Sequence, residues 1–120
     1  MNTTTNGPVS NQDLVAMHGS LIALVRRLEE SIDLAPTAAA IGAIVDRISE
    51  VNARVTSTGS LLLVRQSDEI ARHAHAVAEV MPRIEEEIAD LGRLEHALGA
   101  VTAMLSTVDR AVRVAELLRL

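Results

Sequence analysis

The chain has 120 residues, enough for one small domain. It carries 16 acidic residues against 11 basic ones, all arginine, for a net charge of −5, so it offers no basic stripe for nucleic acid. It has no cysteine and no Phe, Tyr or Trp, which excludes disulfides and thiolate metal sites and leaves a core of Leu, Ile, Val, Ala and Met, suited to helices packed side by side and poorly suited to a ligand pocket.

The opening stretch MNTTTNGPVSNQD is polar and turn-rich, with no charged region ahead of an apolar one. Residues 1–10 are expected to form a flexible tail and 11–120 a single helical domain. The apolar run 14–25 is too short for a bilayer, which needs about 20 residues, so the expected location is the cytoplasm. Ser10, Asn11 or Asp13 can cap a first helix over about 11–33, whose stripe Leu14, His18, Leu21, Val25, Leu28 and Ile32 keeps helical time. Pro36 disfavours helix at Ala35 and suits a first helical position, so a second helix is expected over about 37–57, with Ile41, Ile44, Ile48, Val51 and Val55 as its stripe. Ala16, Gly19, Ser20 and Ala23 on one helix, and Ala35, Ala39, Gly42 and Ala43 on the other, mark where the two could approach closely. TSTGS, 56–60, then ends the second helix near Gly59 and places Ser60 to cap the next.

Beyond Ser60 a heptad repeat runs through Leu63, Ile70, Val77, Ile84, Leu91, Leu98, Leu105 and Val112. With Ile84 at position a, Pro82 falls at f and Gly92 at b, both off the seam, which points to one long, kinked helix over about 60–118. Such a helix would extend roughly 88 Å at about 1.5 Å per residue, whereas helices of about 22 residues extend only roughly 33 Å. Much of the seam would then need another chain. The fold expected is all-α, an elongated helical bundle or coiled coil, with 91–118 as a coiled-coil assembly segment. Its interface residues would be Leu91, Leu94, Leu98, Val101, Leu105, Val108 and Val112. The flanking charges there are all negative, and ALGAVTAML, 97–105, is uncharged on every side, so the partners expected are other helical chains bearing Lys or Arg, in a hetro-oligomer.

No reaction chemistry stands out. His73 and His75 are about 200° apart on a helix, and Glu69 with His73 makes only a weak pair; His18 and His96 would need to converge through the tertiary fold. Glu85, Glu86 and Glu87 with Asp90 lack the alternating ligands and glycine of a calcium loop and suit a solvated helix face. No phosphate loop or nucleophile elbow is present. The function expected is that of a non-enzymatic structural or adaptor subunit in a larger intracellular complex, without cofactor, metal or small-molecule substrate. The alternatives are an amphipathic protein of the membrane surface, disfavoured by sparse arginine paired with acids, and a metal- or haem-binding bundle.

Overall fold

The computed structural model describes residues 10–119, so the expected tail over 1–10 lies almost entirely outside the described residues. The chain forms four helices, α1 (Gln12–Ile32), α2 (Ala38–Gly59), α3 (Asp68–Ile88) and α4 (Leu94–Arg119), in a bundle of 55 × 27 × 21 Å. The all-α bundle read from the sequence is what the chain adopts, but at 55 Å it is far shorter than the rod of roughly 88 Å expected from one long helix at about 1.5 Å per residue. Two antiparallel hairpins, α1–α2 and α3–α4, lie face to face, with α1 against α3 and α2 against α4.

Three of the four helices, α1, α2 and α3, begin at a side-chain cap. The Leu14 amide donates to Asn11 Oδ1 at 3.1 Å, the Ala40 amide to Thr37 Oγ1 at 3.0 Å and the Ile70 amide to Ser67 Oγ at 3.4 Å. Each such bond satisfies an amide that the helix cannot. Thr37 takes the cap of α2, so Pro36 stands before the helix rather than at its first position. The first helix buries Leu14, Met17, Leu21, Leu24, Leu28 and Ser31. Its stripe is therefore rotated from the expected one, and His18, Val25 and Ile32 flank the core.

The expected 60–118 helix is two helices. Ser60 caps the carboxyl end of α2 rather than the start of a new helix, and residues 60–67 form a connector that covers one end of the bundle. Asn11 holds it there, its amide donating to the Leu62 carbonyl at 2.7 Å and its side-chain Nδ2 to the Arg65 carbonyl at 3.0 Å. Leu61 and Val64 are thereby drawn into an end cluster with Leu14, Ile70 and Ala115. The helix does run through Pro82, which is exposed, as is Ala78, whose carbonyl loses its helical donor to the proline. The chain reverses instead at 89–93. Ala89 ends α3, the Gly92 amide donates to Asp90 Oδ1 at 3.0 Å, and a single 3-10 turn, Leu91–Arg93, leads into α4. Asp90 and Gly92 are the turn-forming residues that Pro82 lacks beside it.

The main core joins both hairpins through Leu21, Leu24, Leu28, Ile44 and Val51 on one side and Val77, Ile84, Val101, Leu105 and Val108 on the other. Two arginines clamp α2 to α4. Arg54 makes a bidentate pair with Asp109, Nε to Oδ1 and Nη2 to Oδ2, each 2.9 Å, and Arg47 Nε donates to the Leu98 carbonyl at 3.3 Å. The hydrogen bond to Asp109 holds the Arg54 guanidinium still more firmly in its charged form.

A distance measurement separates this path from a continuous helix. Spin labels at Arg72 and Arg110 would be roughly 57 Å apart along one helix at about 1.5 Å per residue. Across two helices whose axes lie about 8–10 Å apart they should be within about 20 Å. A separation near the longer value would refute the reversal.

Candidate functional site

Six of the seven residues expected at an assembly seam lie on α4 and point inward. Leu94, Leu98, Val101, Leu105 and Val108 are buried in the chain's own core, and Val112 is half-buried between the core and the end cluster. Leu91, in the reversal, is 51% exposed. The need for a second chain along this seam followed from helix length, and the reversal supplies the cover from within.

The exposed apolar surface lies elsewhere. Val15 and Ile22 on α1, and Ile41 and Val45 on α2, are 38–48% exposed. Val15, Ile22 and Glu29 recur every seven residues, as do Val45 and Asn52, which keeps each set on one outward line at about 100° per residue. Between the two lines run Val25, Ile48 and Val55, half-buried and packed on the core. The outer face of the α1–α2 hairpin is thus an aliphatic band whose bordering charges are Arg26, Glu29 and Asp46. Five of the eight small residues expected between α1 and α2 also turn outward, while Ser20, Ala35 and Ala43 are half-buried. Ala16, Gly19, Ala23, Ala39 and Gly42 are exposed, and a Cβ added at Gly19 or Gly42 would meet nothing within 4 Å. The close approach of the two helices is at Gly59 instead, where an added Cβ would lie 3.0 Å from His18 Cε1. His18 Nδ1 is 2.9 Å from Thr58 Oγ1, and because that hydroxyl donates to the Arg54 carbonyl at 2.8 Å, the ring donates to it.

On the opposite side, α3 and α4 enclose a groove of about 330 Å³. Val77, Ile84 and Met104 form its buried floor, and Ala76, Val80, Ala100 and Ala103 its walls. The uncharged segment 97–105, expected to be enclosed on all sides, leaves Gly99, Thr102 and Ala103 exposed, and Ala103 lines this groove. At the end nearest the reversal the lining becomes polar, with Arg83, Glu87 and His96. Glu87 is 3% exposed. Its Oε1 lies 2.9 Å from His96 Nδ1 and its Oε2 3.8 Å from Arg93 Nη1, so the carboxylate fastens the end of α3 to the reversal and the start of α4.

The Glu87–His96 pair escaped the sequence reading because the three glutamates were taken as a solvated face, whereas Glu87 is buried, Glu85 half-buried and only Glu86 exposed. The signal was its heptad position. Glu87 falls at a nominal d site, where a charge is buried and requires a partner. His73 is half-buried and His75 exposed, and among the described residues no three His, Asp or Glu side chains gather to hold a metal ion. No described helix is long and apolar enough to cross a membrane. No known protein family, curated protein or solved structure matches the chain.

Proposed function

We propose that this chain is a non-enzymatic helical adaptor subunit of a larger intracellular assembly, and that the outer face of the α1–α2 hairpin receives a helix of another chain. One observation carries the reading: Val15, Ile22, Ile41 and Val45 leave a large aliphatic band in water on two neighbouring helices. Contiguous apolar surface rimmed by polar groups is the mark of an interaction site, and an amphipathic helix is the element whose apolar stripe fits between two others. The open space above Gly19 and Gly42 lets its axis come close. With Glu29 and Asp46 outnumbering Arg26 at the border of the band, and a net charge of −5, the partner helix carries Lys or Arg beside its stripe.

Ile22→Arg with Val45→Arg is the test. Both side chains are exposed, so the circular dichroism and melting point of the free chain should be nearly unchanged. Binding to the co-purifying partner should weaken by about 2 kcal/mol or more, roughly thirtyfold, measured by titration of the purified components. Native mass spectrometry should give a defined hetero-complex for the wild type and the free chain for the variant. A complex of undiminished affinity would refute the docking face, and a homodimer lost in the variant would replace the foreign helix with a second copy.

A further inference from the structure

The α3–α4 groove lies on the side away from the α1–α2 face, and its chemistry is different. Its volume, about 330 Å³, is within the range of small-molecule sites, and unlike the other depressions it has a floor of several buried apolar side chains. From Ala76 to Glu87 it follows α3 for roughly 16 Å at about 1.5 Å per residue. It exists because Ala76, Ala100 and Ala103 stand where larger side chains would close it over Met104. A long, narrow, apolar trough open along one side takes a linear molecule lying flat.

The lining is apolar over most of that length and polar at one end. Thr107 is the polar residue of the far end; Arg83, Glu87 and His96 gather at the end nearest the reversal. The ligand therefore has one polar terminus. The sign of that terminus follows from which groups are already committed. Glu87 is buried with one oxygen on His96 and the other toward Arg93, so it offers no free carboxylate for a cation. Arg83 makes no ion pair among the described residues and lines the groove. Its planar fork matches a carboxylate with two parallel hydrogen bonds. Glu87, bonded to Nδ1 at 2.9 Å, holds the His96 ring at this end of the groove.

We propose that this groove binds a linear medium-chain carboxylate, its alkyl chain along Val80, Ala100, Ala103 and Met104 and its head on Arg83. Arg83 is the binding residue, and Glu87 acts through His96 as a positioning residue. The site is independent of the helix-docking face, so either can fail alone.

Sodium decanoate, kept below its micelle concentration, is titrated into the ¹⁵N-labelled full chain and followed by amide chemical shifts, with acetate and decyltrimethylammonium as companions. Saturable shifts are expected in 76–87 and 96–107, with decanoate binding at least tenfold tighter than the cationic chain and acetate giving none. Arg83→Gln should remove the preference, weakening decanoate about tenfold and leaving the cationic chain unchanged. Ala100→Leu with Ala103→Leu should fill the trough and weaken both chains at least tenfold, with the helical circular dichroism retained. Absence of saturation, shifts centred on the α1–α2 face, equal affinity for the cationic chain, or an Arg83→Gln variant that still prefers decanoate would each overturn the assignment.

Discussion

Replacing Leu98 and Leu105 together by alanine is expected to remove most of the fold's stability, not merely to loosen an assembly. Leu98 is 6% and Leu105 3% exposed. Truncating a buried leucine costs about 2–5 kcal/mol, part of it for the cavity left behind. The two sites are seven residues apart, roughly 10 Å along the helix at about 1.5 Å per residue, far enough for their effects to add approximately. Together they remove about 4–10 kcal/mol from a domain whose total stability is of order 5–15 kcal/mol. Urea denaturation followed by far-ultraviolet circular dichroism gives the answer, since the chain has no tryptophan or tyrosine to report by fluorescence. Leu117→Ala, at a side chain 67% exposed, is the control and should shift stability by less than about 0.5 kcal/mol. A double variant as stable as the wild type would mean that the α4 seam is covered by something other than this chain.

Asn11→Ala should destabilise the fold by roughly 1.5–2.5 kcal/mol, a large loss for one polar side chain at a helix start. Two separate effects add. Removing Oδ1 uncaps α1, worth about 1 kcal/mol. Removing Nδ2 strips the partly buried Arg65 carbonyl of its donor, and the loss of such a hydrogen bond costs about 0.5–1.5 kcal/mol. Asn11→Ser separates them, because serine still caps the helix and cannot reach Arg65; it should recover only the capping part. Equal stability of the alanine and serine variants in urea melts would show that the clasp on the connector contributes nothing.

The sequence made the helical class and the first two helices legible because their caps and apolar spacing are local: Asn11 and Leu14, then the proline and threonine ahead of Ala38. It misplaced everything that depends on which helix covers which. Leu63, Leu91 and Leu98 share one heptad register, yet Leu63 and Leu91 are exposed and Leu98 buried, because a connector and a reversal interrupt the helix without disturbing the count. Pro82 drew attention away from Asp90 and Gly92, the pair that closes the reversal with a side-chain bond. The small residues of α1 and α2 could be placed on one side of each helix, but nothing local told whether that side met a neighbour or water. Of the α3–α4 groove only the charge at position 87 was visible; the rest is made by Ala76 and Ala103 meeting across the hairpin.

The parallel pairing of α1 with α3 also has an electrostatic outcome. Their carboxyl ends lie side by side, sharing a depression lined by Ser31, Leu34, Ile88 and Ala89. The amino ends of α2 and α4 lie at the same end of this antiparallel bundle, so the helix dipoles there largely cancel. The side chains do not: Glu29, Glu30, Asp33, Glu85, Glu86 and Asp90 crowd this corner and outnumber the arginines near it, Arg26, Arg27, Arg83 and Arg93. This end of the bundle is therefore a negative pole made by side chains. A basic chain coming within about a Debye length, ~8 Å at physiological salt, is turned toward that pole before any apolar contact forms.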